Sequence, residues 1–467
     1  MAAINNTILD TIGRTPIVRL QQTFAPDVNA QILLKLEKFN PGGSVKDRIG
    51  LAMIEDAERK GLLQPGGTVV EGTSGNTGVG LAMAAAVKGY NLVFTIPDKM
   101  AQEKINLLRA FGAKVIVCPT AVAPDHPSSY YSVAKRLAER PNHFYPNQYF
   151  NQANPDAHYA TTGPELWEQL EGQIDYFVAG MGTGGTISGV GKFLKEQNAN
   201  VQIIGVDPAG SILKEYHETG RIGEAHSYKV EGIGEDIVPE SLHFQYIDEI
   251  IRVNDEESFQ MSRRLAREEG ILCGSSSGSA LAAALRLAKE RNLGKDIRIV
   301  VLLPDTGERY LTKFFSDRWM RENAFHLETQ TARSCLYAKD PQIPDLISVK
   351  PDDLVCSAIM QMKNHGFSQL PVIDDSRKVV GTVYEDMIMR EVIVNPASWS
   401  ISVKDYLTAS LPIVSAETSL EDVLSILADT PAVIVEEANI PIGILTRVDV
   451  MDHFYAHEPI KASISAD

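Results

Sequence analysis

One lysine and two loops of small residues carry most of the reactive chemistry of this chain. Lys46 lies in Asn-Pro-Gly-Gly-Ser-Val-Lys-Asp-Arg, residues 40–48, and its amine could form an imine with an aldehyde. Residues 73–78, Thr-Ser-Gly-Asn-Thr-Gly, offer hydroxyls, an amide and backbone N–H groups. Residues 182–186, Gly-Thr-Gly-Gly-Thr, can wrap a phosphate, because glycine permits close backbone approach and a helix follows. Pyridoxal 5'-phosphate (PLP) is an aldehyde and a phosphate ester, and it needs all three segments.

Each segment also has a purely structural interpretation. Most lysines are solvated surface charges, residues 73–78 could be a capped strand-to-helix turn, and residues 182–186 could bind a nucleotide or simply turn tightly. The combination favours catalysis. An imine requires an unprotonated amine, so we expect partial burial and nearby positive charge to lower the pKa of Lys46. Once freed, its amine would remove and return the substrate α-proton.

The same segments resemble the fold-type II PLP enzymes of β-replacement, the cysteine synthase and cystathionine β-synthase group. The likeness starts at residues 12–20 and continues through Gln148 and residues 232–234 to residues 274–278 and 304–308. It covers nearly all of residues 1–325, which is far more than a lone glycine-rich loop would offer. The resemblance implies an α/β fold built of parallel-sheet subdomains.

The resemblance also implies roles for individual residues. Asn76 would bind the 3'-oxygen of the cofactor, and Ser276 would lie beside its pyridine nitrogen, although three adjacent serines leave that register open. The substrate carboxylate would be held by Thr73, Ser74, Thr77 and Gln148, and the cofactor phosphate by Gly182, Thr183, Gly184, Gly185 and Thr186. Glu235 could accept a hydrogen bond from an ammonium group of the second substrate, or it could be a solvated loop glutamate.

Apolar strand-like runs alternate with helical patterns up to about residue 320. Examples are the runs at residues 67–71, 92–96, 175–179, 203–206 and 299–303. Helical patterns at residues 79–87, 102–111 and 187–196 follow three of them. This alternation predicts a parallel sheet with helices on both faces.

The pattern changes character after a proline-containing seam near residues 326–345. Beyond it, a unit of helix, strand, strand and helix recurs at an offset of about 62–65 residues. The unit resembles the CBS motif, which occurs in tandem in regulatory modules. We therefore predict a catalytic domain at residues 1–325, a linker at 326–345 and an α/β tandem CBS-motif (Bateman) domain at 346–467.

The second repeat carries a candidate ligand site. Thr446 and Asp449 have the spacing that related modules use for ribose hydroxyls, whereas Tyr384 and Met387 occupy the matching positions of the first repeat. We expect one adenosyl ligand, S-adenosylmethionine first and AMP or ATP as the alternative. Thr446 and Asp449 could instead simply cap a helix.

Composition argues against several kinds of partner and site, namely nucleic acid, membranes, metals and disulfides. The chain has 467 residues, 44% of them hydrophobic, and a formal net charge of −16 with a pI near 5.2. This charge argues against nucleic acid and anionic membranes as partners. No apolar run predicts a signal peptide or a membrane span. The spacing of the cysteines suits neither a zinc site nor a disulfide framework, which predicts no metal and a reducing cytoplasm: Cys118, Cys273, Cys335 and Cys356.

The resemblance implies condensation of L-serine with L-homocysteine to L-cystathionine, with sulfide production as a side activity. The fused repeat and residues 145–165 favour this reaction. The first alternative is cysteine synthesis from O-acetylserine and sulfide, with which residues 305–310 are compatible. The second is a non-catalytic scaffold or adenosyl sensor, against which the retained set of site residues argues. A homodimer is expected, and haem is not, because the first cysteine is Cys118.

Overall fold

This computed structural model describes residues 4–73, 75–98, 102–119, 122, 126–325, 331–337, 339 and 346–457. The chain divides into two compact units, Met1–Met320 and Arg321–Asp467. The strands of the first unit are β1 (Ile17–Arg19), β2 (Gln31–Leu36), β3 (Thr68–Gly72), β4 (Asn91–Pro97), β5 (Lys114–Cys118), β6 (His143–Phe144), β7 (Tyr176–Gly180), β8 (Gln202–Pro208), β9 (Glu249–Val253) and β10 (Arg298–Leu303).

These strands form two sheets, one of six strands in the order β1-β2-β10-β7-β8-β9 and one of four in the order β5-β4-β3-β6. The four-stranded sheet is parallel throughout. In the six-stranded sheet β1 pairs antiparallel with β2, and the other pairs are parallel. The prediction of parallel sheets is therefore correct except at β1, which is only three residues long and forms an edge.

Helices cover both faces of the six-stranded sheet, as the alternation predicts. In β10, Ile299, Val301 and Leu303 join one buried apolar cluster, whereas Val300 and Leu302 join another. Successive side chains of a strand point to opposite faces, so a strand buried on both sides is a continuous apolar run. The helices of this part of the chain are α1 (Lys46–Arg59), α2 (Asn76–Lys88), α3 (Gln102–Ala110), α4 (Tyr130–Ala138), α5 (Ala153–Ala157), α6 (Gly163–Gln169), α7 (Gly185–Gln197), α8 (Leu213–Thr219), α9 (Asp255–Glu268), α10 (Ser275–Glu290) and α11 (Asp317–Glu322).

The second unit contains the predicted repeat. Its strands and remaining helices are α12 (Ala332–Tyr337), α13 (Val355–His365), β11 (Gln369–Ile373), β12 (Val379–Tyr384), α14 (Glu385–Val394), β13 (Ile413–Ser415), α15 (Leu420–Leu427), β14 (Ala432–Glu437), β15 (Ile440–Thr446) and α16 (Arg447–His457). Each repeat runs helix, strand, strand, helix, with an antiparallel strand pair at its centre.

A short helix lies within the span that the sequence marks as a linker. In α12, Ala332, Cys335 and Leu336 are buried in the apolar core of the second repeat, together with Val423 and Leu427. This helix therefore packs with the second repeat. Across the described parts of both units, no helix is long and apolar enough to cross a membrane.

Candidate active site

The predicted site segments converge at the carboxyl ends of parallel strands. Residues 73–75 follow β3, residues 181–184 follow β7, and residues 304–306 follow β10. Open α/β sheets form their ligand crevices at this edge. A cavity here brings Lys46 and the 182–186 loop together, and its lining consists of Val45, Lys46, Gly180, Gly182, Thr183, Gly184, Thr186, Gly232, Ile233, Leu302 and Pro304.

Lys46 is the first residue of α1, and backbone hydrogen bonds hold its loop against the end of β10. Val45 N donates to the Pro304 carbonyl at 2.8 Å, and Thr306 N donates to the Gly43 carbonyl at 3.1 Å. Burial lowers the pKa of the Lys46 amine, while the carboxyl groups of Asp305 and Glu235 oppose that shift. The prediction of a cation near Lys46 is therefore wrong. Burial lowers the pKa of the Lys46 amine, and the two neighbouring charged groups are the carboxyl groups of Asp305 and Glu235.

A buried ion network fixes the first turn of α1. Arg48, two residues after Lys46, donates from Nε to Glu37 Oε2 at 2.7 Å and from Nη1 to Glu165 Oε2 at 2.9 Å. Lys35 Nζ donates to Glu165 Oε1 at 2.5 Å. Because truncating one partner of a buried pair leaves an uncompensated charge, this network resists displacement of the helix that presents Lys46.

Asn76, at the start of α2, contacts the residues that follow β10. Its Nδ2 donates to Asp305 Oδ2 at 2.9 Å, and its Oδ1 accepts from the Arg309 guanidinium. Tyr310 Oη donates to the same Asp305 oxygen at 2.6 Å. Burial raises the pKa of Asp305, against the hydrogen bonds from Tyr310 and Asn76. Asp305 therefore holds the amide of Asn76, and its carboxyl group also influences the pKa of Lys46.

Two of the four residues predicted to bind the substrate carboxylate contact each other. Thr77 Oγ1 donates to Gln148 Oε1 at 2.6 Å, and both residues are buried, as is Thr73. Ser74 lies outside the described residues. Glu71 anchors the backbone next to Gln148, since its Oε2 accepts the backbone N–H of Asn147 at 2.8 Å. The residue pair Thr77 and Gln148 is thus brought together from positions 71 residues apart.

The 182–186 loop requires its glycines. Gly184 adopts a φ of 80°, which favours glycine, and it directly precedes the first residue of α7. A Cβ at Gly182 would lie 2.6 Å from the Gly232 carbonyl oxygen, and a Cβ at Gly185 would collide with Asn154 Oδ1. The backbone can therefore pass close to the cavity while Thr183 and Thr186 line it.

Ser276 lies in the first turn of α10 and is buried. The loop before it is attached to the segment that follows β10, because Gly274 N donates to the Asp305 carbonyl at 3.2 Å. The same segment holds the loop of Lys46. The serine and the lysine are thus anchored to one short stretch of chain, residues 304–306.

Glu235 is partly buried near the lysine. Its backbone N–H donates to Ser211 Oγ at 3.0 Å, and its carboxyl group is hydrogen-bonded to Tyr149. Burial and the nearby Asp236 raise the pKa of Glu235 to about 8, and Tyr149 and Lys46 oppose the increase. Glu235 is therefore not a freely solvated loop glutamate, which was the alternative interpretation of the sequence.

In the second unit, Thr446 and Asp449 contact each other at the start of α16. Asp449 Oδ2 accepts from Thr446 N at 2.7 Å and from Thr446 Oγ1 at 2.6 Å. Asp449 Oδ1 forms an ion pair with Lys339 Nζ at 3.0 Å. These contacts are those of a helix cap, and ribose binding by the two residues stays a prediction.

Two family models match the chain. The model described as pyridoxal-phosphate dependent enzyme matches residues 8–305, and the CBS domain model matches residues 342–394 and 403–456. The cystathionine β-synthase of Dictyostelium discoideum is 40% identical over 465 residues, which span 96% of this chain and 92% of that protein. This chain belongs to the cystathionine β-synthase family. It is therefore a PLP-dependent enzyme of β-replacement.

Other members and neighbours of the family agree. The cystathionine β-synthase of Saccharomyces cerevisiae is 40% identical over 426 residues, covering 85% of this chain and 84% of that protein. The crystal structure of a hydrogen sulfide-producing enzyme from Fusobacterium nucleatum is 38% identical with a TM-score of 0.61, covering 66% of this chain and 99% of that one. The prediction of a fold-type II PLP enzyme with a CBS-motif domain is confirmed.

The residues at the cavity fit the cofactor of the cystathionine β-synthase family. A partly buried amine with a lowered pKa lies in the same cavity as two threonine hydroxyls and a glycine backbone at a helix N-terminus. An aldehyde needs the amine, and a phosphate needs the hydroxyls and N–H groups. Lys46, Gly182, Thr183, Gly184 and Thr186 thus have the chemistry that the two ends of PLP require.

Four further residues around this site were not identified as site residues from the sequence. Asp305 contacts Asn76, Glu71 accepts the backbone N–H of Asn147, which precedes Gln148, and Asn154 and His158 contact the 182–186 loop. Asp305, Asn154 and His158 lie in segments that the sequence had marked as family-like. Their partners lie far away in the sequence, so no local pattern indicated which residue each would contact.

Proposed function

We propose that this enzyme condenses L-serine with L-homocysteine to form L-cystathionine. The main support for this proposal is that Lys46 and the 182–186 loop line one cavity, in a chain that matches a cystathionine β-synthase over 96% of its length. Bound PLP would withdraw electrons from the amino-acid α-carbon, which makes the α-proton acidic and lets the β-substituent leave.

Lys46 would hold the cofactor between turnovers and move the substrate proton during them. Its amine takes the proton from the α-carbon when the β-hydroxyl of serine departs and returns a proton to that carbon when the thiolate has added. The lowered pKa favours the neutral amine that this step requires. The position of Lys46 at the start of α1, fixed through Arg48 and Glu37, keeps its amine at the cavity.

Thr73, Ser74, Thr77 and Gln148 would bind the amino-acid carboxylate. The Thr77–Gln148 hydrogen bond supports this role, because it aligns two polar side chains at the N-terminal end of α2. An anion is favoured at such a helix end. Asn76 would turn its amide to the 3'-oxygen of the cofactor while Asp305 holds it in place.

Ser276 would face the pyridine nitrogen as a neutral partner. A hydroxyl stabilises a protonated ring less than a carboxylate would, which disfavours transamination and favours elimination of a β-substituent. Glu235 would receive the ammonium group of homocysteine. Its proximity to Lys46 supports this assignment, because the charge of each group shifts the pKa of the other.

Cysteine synthesis from O-acetylserine and sulfide is the second candidate. The sequence Asp-Thr-Gly-Glu-Arg-Tyr at residues 305–310 is compatible with it. The similar enzyme from Fusobacterium nucleatum, a producer of hydrogen sulfide, supports instead a side activity in which this chain releases sulfide from cysteine.

For the regulatory module, we propose one adenosyl ligand on the second repeat, with ribose hydroxyls on Thr446 and Asp449. The carboxylate of Asp449 already accepts from a hydroxyl, and its position at a helix start is the one the motif predicts. S-Adenosylmethionine is the preferred ligand. Regulation would require different affinities of the ligand for two arrangements of the module.

The test pairs each donor with each acceptor. We expect kcat/KM to be highest for serine with homocysteine, with cystathionine as the product identified by mass spectrometry. A higher kcat/KM for O-acetylserine with sulfide would move the enzyme to the cysteine synthase branch. Absence of turnover with all four pairs, in protein that carries PLP, would contradict both.

A further inference from the structure

A helical segment that contains a π-helical turn contacts the 182–186 loop. Between α5 and α6 the chain forms a π-helical turn over His158–Thr162. Such turns are rare and frequently occur at functional sites. The π turn contains His158, and Asn154 lies four residues earlier in α5, so both point toward the same neighbouring loop.

Asn154 contacts the first threonine of that loop. Its Nδ2 donates to the Gln148 carbonyl at 2.9 Å and to Thr183 Oγ1 at 3.0 Å. A carbonyl oxygen can only accept, so the bond to Gln148 fixes which end of the amide is nitrogen. Thr183 Oγ1 therefore accepts from Asn154, and its hydroxyl hydrogen is available to donate elsewhere.

His158 contacts Thr186, the last threonine of the loop, as Asn154 contacts Thr183. Its Nε2 lies 3.1 Å from Thr186 Oγ1, and its Nδ1 lies 2.9 Å from Thr162 Oγ1. The side chain is fully buried, and burial lowers the pKa of the imidazole well below its usual value, helped by Arg48 and Lys46. A neutral imidazole has one N–H donor and one acceptor, so its tautomer decides which way the Thr186 hydroxyl points.

We propose that Asn154 and His158 are positioning residues that donate to Thr183 and Thr186 and thereby turn both threonine hydroxyls toward an anion in the loop. This inference rests on the proposed assignment of residues 182–186 to the cofactor phosphate. His158 carries its hydrogen on Nε2, and Thr162 donates to Nδ1. Each hydroxyl oxygen then has a protein donor, and each hydroxyl hydrogen is directed at the phosphate, which only accepts.

Close packing of α7 against the π turn supports the contact between His158 and Thr186. Gly189 of α7 lies against the π turn, where a Cβ would approach Tyr159 N at 2.7 Å and His158 Cβ at 2.8 Å. Only a residue without a side chain lets α7 come this close. The approach sets the distance between His158 and Thr186, because both lie at this contact.

The experiment measures PLP binding to the apoenzyme by spectroscopic titration, for wild type and for variants of one hydrogen-bond chain. His158→Asn keeps an amide near Nδ1 and removes the donor to Thr186, so the PLP dissociation constant should rise about tenfold, the lower end for a hydrogen bond to a charged group. His158→Gln offers an amide N–H at the position of Nε2, and it should bind PLP nearly as well as wild type.

A double-mutant cycle separates positioning from packing. Thr186→Val should weaken PLP binding about tenfold by itself, and adding His158→Asn to it should cost little more. If His158→Asn weakens PLP binding equally with and without Thr186→Val, His158 acts by packing alone and the inference is wrong. If Thr186→Val leaves PLP binding unchanged, the phosphate assignment of the loop fails instead.

Thr162→Val covers the case in which His158→Asn does not fold. It leaves the imidazole in place and removes only the partner of Nδ1, so the hydrogen is no longer held on Nε2. PLP binding should weaken in this variant, and again less so in the Thr186→Val background. Unchanged PLP binding in Thr162→Val would overturn the tautomer assignment.

Discussion

The buried carboxyl group of Glu71, which contacts the residue before Gln148, offers a test of the electrostatics close to the predicted substrate site. Glu71 lies near the end of β3 with 2% of its surface exposed. Its two oxygens accept backbone N–H groups of Asn147 at 2.8 Å and Gly72 at 3.2 Å. Burial raises the pKa of Glu71 from 4.5 to about 8, against these two hydrogen bonds. We therefore predict that this side chain takes up a proton at a pH well above the usual range of a glutamate.

The sign of its effect on stability follows from linkage. Because the pKa is higher in the folded state, folding takes up a proton between about pH 4.5 and 8. The stabilisation is fully present below the unfolded pKa and is lost as the pH rises through the folded pKa. The slope is at most about 1.4 kcal/mol per pH unit, which gives an upper bound of about 5 kcal/mol over this window.

Glu71→Gln keeps the shape and one acceptor oxygen but cannot ionise. We expect the stability of wild type relative to Glu71→Gln to decrease steadily from pH 5 to pH 8, measured as the difference in urea midpoint at saturating PLP. Glu139→Gln, at an exposed glutamate in the same unit, is the matched control and should show a constant difference. A constant difference for Glu71→Gln as well would mean that this carboxyl group is already ionised in the folded enzyme.

Three further predictions concern the substrate and ligand sites. Gln148→Ala should lower kcat/KM for serine by about 1–3 kcal/mol of transition-state stabilisation while PLP stays bound, and loss of PLP with unchanged serine affinity would contradict the clamp. Because ionised Glu235 would attract an ammonium group, KM for homocysteine should fall as the pH rises through about 8, and Glu235→Gln should reduce that fall to the part caused by ionisation of the homocysteine thiol. Asp449→Ala should abolish adenosyl binding in calorimetry, and unchanged binding would remove Asp449 from the site.

The sequence predicted those features that depend on local pattern. The strand at residues 299–303 and the helix at 187–196 were recognisable because apolar runs and helical periodicity are properties of neighbouring residues. The glycines of the 182–186 loop were recognisable for the same reason. The repeat was visible because one unit resembles the other within the same chain.

Other features depend on which distant residues meet. Asp305 contacts Asn76 across 229 positions, and Glu71 contacts Asn147 across 76. The sequence also led us to expect a cation near Lys46, whereas the structure places the carboxyl group of Asp305 near it. No cation is needed, because burial by itself lowers the pKa of the amine. The antiparallel edge strand β1 was missed because three residues carry too little periodicity to indicate a direction.

The direct test of the central claim is to locate the cofactor on the chain. The holoenzyme is reduced with borohydride, which fixes the link between PLP and its lysine, then digested and sequenced by mass spectrometry. The pyridoxyl group should lie on the peptide that contains Lys46, and Lys46→Ala should carry none while remaining folded. Modification of a different lysine in wild type, or a cofactor still attached in Lys46→Ala, would contradict the site described above.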